Sequence, residues 1–338
     1  MTTNIINSTR ISYNEIPHGE VFKDIGDNRY IIRNTRKTPF CAVGRLEATF
    51  SEKRISLLDG ILDESTEETS KNSTKVGTVF LARLPHLSYP TYCLLTAASN
   101  LYDFEKSIIA TEVKVYLGLN GHKSYMGGKE IEFPIAQIIV KKEGLEFDVL
   151  ENYRLSGSKY YNIGWLSIPS NVMDIFPKDP LHSAFQIRPY ETPNKSDIYH
   201  MTGYPAPVGA LREPGDPPGS QWATELTLHT NSNHNMLFYK DAATKANAGS
   251  PIYHKSQEGR YVAIGMHCGG YTIQNTTKFN FGLRITPPMI SEIVHGVTGL
   301  KLFLFDTVKE AASVKKKRKP QQSTSASNNN CDETTSRT

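Results

Sequence analysis

No stretch of this chain is apolar for long enough to cross a bilayer, and the first ten residues hold no hydrophobic core of the kind a secretory signal needs. The expectation is a protein of the cytosol or nucleus, without membrane contact. Cysteine is sparse as well: Cys41, Cys93, Cys268 and Cys331 lie far apart, with neither the density of a disulfide scaffold nor the paired spacing of a metal site. Reduced thiols, no metal and no cofactor are expected. Charge of one sign is also scarce. The formal net charge is +4 over 338 residues, and from Ser313 onward six Lys or Arg face two acidic residues, which accounts for all of it. The body is therefore formally neutral, which argues against a broad basic face for nucleic acid.

What is present favours β-structure. Hydrophobic residues make up 38% of the chain, enough for a large core, and 14 Phe, 17 Tyr, 24 Gly and 19 Pro suit short strands joined by turns. After a polar N-terminal arm at residues 1–28, strand-like writing begins at Tyr30-Ile31-Ile32 and strengthens over residues 40–50, where apolar and polar positions alternate. Residues 51–75 carry polar clusters and read as an inserted surface loop. Runs at 76–82 and 91–98 read as a hairpin. Further strands are expected at 111–118, at 131–141 with a break at Pro134, and at 160–168.

Residues 177–193 are rich in proline and lack a period, so they read as a connection, with a boundary at 181–194. A second series of strands is expected at 197–203, 222–229, 236–239, 250–254, 261–267 and 278–285. Pro287-Pro288 then opens a short helix. The expected organisation is a first unit at 29–185, a second at 186–306 including that helix, and a disordered basic tail at 307–338.

Several landmarks resemble chymotrypsin-type serine peptidases, above all their glutamyl-endopeptidase branch, over residues 30–295. Phe40-Cys41-Ala42-Val43-Gly44-Arg45-Leu46 is similar to the opening strand of that branch, and Gly77-Thr78-Val79-Phe80-Leu81 to its Gly-Thr-Gly-Phe-Leu strand. Leu95-Thr96-Ala97-Ala98-Ser99 resembles Leu-Thr-Ala-Ala-His, and Met201-Thr202-Gly203-Tyr204-Pro205 a Gly-Tyr-Pro segment. Ala246-Asn247-Ala248-Gly249-Ser250-Pro251 resembles Gly-Asn-Ser-Gly-Ser-Pro, and Gly265-Met266-His267-Cys268-Gly269-Gly270 the Gly-Ile-His strand after it. The resemblance implies an all-β fold of two antiparallel six-stranded barrels with a C-terminal helix, and a site in the cleft between them.

The same resemblance implies that the chemistry has been dismantled. Peptide hydrolysis of this type needs a hydroxyl, an imidazole and a carboxylate that orients the imidazole. The matching positions carry Ala248, Ser99 and Asn162, with Asp148 as the other candidate for the acid position. A methyl group cannot attack, and a serine hydroxyl is no base near neutral pH. Ala246 stands where the family has an oxyanion-hole glycine. An engineered change would account for Ala248 alone, not for all three.

His267 and Gly249 match a substrate pocket, and His267 has two readings: a group that binds a carboxylate, or a buried, hydrogen-bonded strand histidine. In the tail, Lys315, Lys316, Lys317, Arg318 and Lys319 form a candidate import signal for a receptor, or a loose contact for polyanions. Three functions compete. The first is an inactive peptidase homologue that binds a protein or peptide in the cleft or on surface loops. The second is a hydrolase with displaced groups drawn from histidines such as His122, His182 and His200. The third is a nucleic-acid-associated protein working through its tail.

Overall fold

The computed structural model describes residues 29–52, 71–85, 91–120, 124–126, 129–131, 136–141, 147–168, 182–188, 198–205, 219–228, 235–239, 247–273 and 277–299. Fifteen strands are linked through one network of backbone pairing. They are β1 (Tyr30–Ile31), β2 (Val43–Glu52), β3 (Lys71–Leu84), β4 (Thr91–Thr96), β5 (Glu112–Leu117), β6 (Ala136–Lys141), β7 (Phe147–Val149) and β8 (Gly164–Ser167). Then come β9 (Phe185–Ile187), β10 (Tyr199–Gly203), β11 (Trp222–Leu226), β12 (Met236–Tyr239), β13 (Pro251–Lys255), β14 (Tyr261–Ile273) and β15 (Thr277–Arg284). Among the described residues the helices α1 (Ala98–Leu101), α2 (Glu151–Ser156) and α3 (Pro287–Thr298) complete the frame together with short turns and two small hairpins.

Period-two patterning explains the strands. In β5, Val113, Val115 and Leu117 are buried while Glu112, Lys114 and Tyr116 keep solvent contact, and β2 repeats this with Leu46, Ala48 and Phe50 inside. Burying each such large side chain contributes roughly 1.5–3 kcal/mol. Antiparallel pairing runs β6-β5-β2-β3-β4-β8-β7 through the first half. In the second half it runs β1-β11-β10-β13-β14-β15-β12. The second core gathers Tyr199, Met201, Leu226, Leu237, Ile252 and Ile264. The all-β architecture and the antiparallel order of both halves agree with the sequence reading.

The differences have physical causes. The polar segment at 51–75 is loop only in part: Ser51 and Glu52 pair with Asn72 and Lys71, and Lys75 pairs with Ala48, so the ladder runs on past the core. The Ser51 hydroxyl donates to Asn72 Oδ1 across it (2.7 Å), so polar residues prolong a hairpin whose backbone they leave paired. β1 does not belong to the first unit. Tyr30 pairs with Ala223 and Ile31 with Trp222, and the Ile32 N–H donates to Gln221 O (2.8 Å). The first half gains β7 beyond the six strands expected of it.

The proline-rich connection contains a strand. β9 runs parallel to both neighbours, pairing Phe185 with Ala82 of β3 and Ile187 with Ala263 of β14. The Phe185 ring lies 5.6 Å from Phe80 and 4.9 Å from Tyr253, so one aromatic joins the two cores. The helix α3 starts at its proline pair and buries Met289, Ile290, Ile293 and Val294. It packs on the first half, where Gly296 lets the Trp165 indole of β8 approach; a Cβ there would lie 2.4 Å from the ring. Among the described residues no helix is long and apolar enough to cross a membrane.

Candidate functional site

β4 leads directly into α1, and this turn delivers Ser99 and Asn100 to the seam between the halves. A 3-10 turn at Lys159–Tyr161, held by the Ser158 side chain, delivers Asn162 just before β8. The two groups meet: the Ser99 N–H donates to Asn162 Oδ1 at 2.8 Å, and Asn162 Nδ2 donates to Ser99 Oγ at 3.4 Å. Asn162 is 5% exposed. Asp148 is engaged elsewhere, by an ion pair with Arg154 and by the Val149 N–H at 2.7 Å.

From the second half, the loop before β13 brings Ala248 to the same place. Its carbonyl accepts from the Thr78 N–H and from Asn100 Nδ2, both at 2.9 Å. Asn100 Nδ2 also donates to Thr96 Oγ1 (2.9 Å), whose hydroxyl donates to Thr78 O at 2.6 Å. All of these polar side chains are buried, and each has a partner, as a low-dielectric site requires. Gly77 makes room for the net, since a Cβ there would stand 2.2 Å from Asn100 Nδ2. Gly249 has φ +96°, and a Cβ on it would come within 1.9 Å of Thr78 O.

Gly249 donates its N–H to His267 O, and the His267 N–H donates to Ser250 O, each at 2.8 Å, which fixes the loop on β14. The His267 ring is 2% exposed and shares a short hydrogen bond with the Tyr239 hydroxyl through Nδ1. Burial lowers its pKa to about 4, so the ring is neutral at pH 7. This geometry matches the buried, hydrogen-bonded reading of His267. Cys268 donates weakly to Met266 O at 3.5 Å and to Asn162 O at 3.8 Å. Burial pushes its thiol up to about 12, which keeps it protonated and non-nucleophilic.

Lys75 was not singled out from sequence. It donates to Ser99 O at 3.5 Å, pairs with Asp103 Oδ2 at 3.2 Å and lies 4.9 Å from the centre of the Phe50 ring. Of the displaced-base candidates, His200 is half-buried against the Tyr253 ring and opposite Glu225, and its pKa is lowered mainly by burial. His182 is exposed. His122, Ala246, Lys315, Lys316, Lys317, Arg318 and Lys319 lie outside the described residues. Among the described residues no group of three His, Cys, Asp or Glu could hold a metal.

In chemical terms the cluster is a set of neutral hydrogen-bond donors and backbone carbonyls, with the Lys75–Asp103 ion pair on its flank. The side chain facing Ser99 is an amide, which cannot take up a proton near neutral pH, and Ala248 offers a methyl group.

No protein-family model and no curated protein matches the chain. Solved structures do. A Glu endopeptidase solved in complex with MPD is 18% identical, with a TM-score of 0.52 over 80% of this chain and 96% of its own. A thermostable serine protease, AL20, from an extremophilic microorganism is 13% identical, with a TM-score of 0.50 over 78% of this chain and 97% of its own. At these identities the likeness concerns the fold, and it agrees with the strand pairing and the terminal helix: the chain has the chymotrypsin-like serine peptidase fold.

Proposed function

We propose that the protein is an inactive serine-peptidase homologue that uses its inter-barrel seam to bind a protein or peptide without cleaving it. The observation that carries this reading is the contact of Ser99 with Asn162, a hydroxyl against an amide where the resemblance expects imidazole against carboxylate. Proton transfer has no acceptor there, and Ala248 supplies no nucleophile. The neutral, buried His267 and the protonated Cys268 add neither function.

The test is incubation of purified full-length protein with peptide substrates and with a fluorophosphonate that labels activated serines. No turnover and no labelling are expected. Turnover that is lost on unfolding, in step with the far-UV signal, would overturn the reading. Ala248→Ser alone should restore nothing measurable, because nucleophile and base act as a unit. The basic run from Lys315 to Lys319 suits nuclear import in this role, and a fluorescent fusion with those five residues changed to alanine should lose nuclear enrichment.

A further inference from the structure

Ser99 and Asn162 are joined in a way that fixes which of their atoms are left to act. A backbone N–H can only donate, so the Asn162 oxygen faces Ser99 N and the Asn162 nitrogen faces Ser99 Oγ. The Ser99 oxygen therefore accepts, and its own proton is left to donate. Asn162 Nδ2 keeps a second proton in the same way. Among the described residues neither proton has a partner. Asn162 is more than nine-tenths buried, whereas Ser99 is partly exposed, so the array has a closed back and an open front.

The flanks share the same polarity. The Lys75 ammonium lies at Ser99 O, and Asp103 offsets part of its charge. On the other side the Cys268 sulfur carries a proton and lies against Asn162 O. Among the described residues of this cluster the anionic acceptor is Asp103, which is held by Lys75 and the Lys106 N–H.

We propose that Ser99 and Asn162 form a subsite for a carboxylate of a bound peptide. The inference rests on the reading of the seam as a binding site without chemistry. Two donors left over on side chains 3.4 Å apart, with an ammonium on the flank, favour a carboxylate over a neutral carbonyl, because hydrogen bonds to a charged acceptor are about twice as strong as neutral ones. The carboxylate has two sources: the end of a chain, or an Asp or Glu side chain.

The experiment is a titration of the full-length, nitrogen-labelled protein, followed at the Asn162 side-chain amide by NMR. The probes are N-acetylglycinate for a chain end, N-acetylglutamic α-amide for a side chain, and N-acetylglycinamide as the neutral control. Saturable shifts with either carboxylate are expected, and the one that saturates at lower concentration identifies the source. The neutral amide and the Ser99→Ala variant should each bind about tenfold more weakly. Asn162→Asp keeps the acceptor for the Ser99 N–H but places an anion in the site, so binding should vanish while the backbone spectrum persists. An unmoved Asn162 amide up to about 50 mM of either carboxylate, or an unchanged affinity in Asn162→Asp, would overturn the subsite. Peptide hydrolysis by the same sample would instead overturn the parent reading, so the two failures are distinct.

Discussion

At the scale of single residues, Gly249 and His267 show how the loop is held. A side chain at 249 meets two penalties together, a positive φ and the Thr78 carbonyl 1.9 Å from where its Cβ would stand. Gly249→Ala is expected to cost about 2–4 kcal/mol, read as a lowered urea midpoint. His267 makes stability depend on pH. Its folded pKa of about 4 lies below the ordinary value of 6.5, so the unfolded chain binds the proton more readily. The contribution is complete above pH 6.5 and is lost as pH falls from 6.5 toward 4, by about 3 kcal/mol at most. His267→Gln should lose less stability than the native chain over that interval; parallel losses would contradict a buried, neutral ring. At this scale the resemblance names Ser99, Asn162 and Ala248, and in the structure Ser99 meets Asn162 while the Ala248 carbonyl accepts from the neighbouring Asn100. The sequence was silent on Asn100, although Gly77, an isolated glycine inside a strand, was a readable sign that another group approaches the backbone there.

At the scale of elements, the contact between α3 and α2 sets a pH dependence of opposite sign. Glu292 of α3 accepts from the Glu151 N–H at the start of α2 at 2.6 Å. Burial raises its pKa, and the Glu151 and Asp148 charges add to this against the hydrogen bond and Arg154. The folded state therefore holds the proton more tightly, so this group's contribution is present at low pH and is lost as pH rises above the ordinary glutamate value. Glu292→Gln keeps the acceptor and removes the charge. It should raise stability at pH 7 by about 0.5 kcal/mol or less and leave it unchanged at pH 4, which paired urea titrations would show. Elements were legible where alternation ran long, as in β2 and β5. They were not where three residues suffice: β7 and β9 are too short to show a period, and β9 lies among prolines that read as a linker. The pairing of β1 with β11 joins residues almost two hundred positions apart, which local pattern cannot reveal.

At the scale of the whole molecule, the two halves are tied at several independent places. β9 is hydrogen-bonded to β3 and β14 together, β1 crosses from the N-terminal side to β11, and α3 returns from the C-terminal side to β8. Buried polar groups add to this. The Tyr204 hydroxyl donates to Leu119 O at 2.9 Å, and Gln221 Nε2 donates to Phe40 O at 2.9 Å. Opening one half would strip these partners from the other and leave buried carbonyls unsatisfied, at about 1–3 kcal/mol each. The halves should therefore unfold together. The chain supplies a reporter for each, since its two tryptophans are Trp165 in β8 and Trp222 in β11. In Trp222→Phe the fluorescence follows the first half alone, and in Trp165→Phe the second. Within each variant the urea transition seen by fluorescence should coincide with that seen by far-UV circular dichroism. A fluorescence midpoint displaced from the dichroism midpoint in either variant would mean that one half opens by itself. The ties through β1, β9 and α3 would then be too weak to make the seam a fixed surface for a ligand.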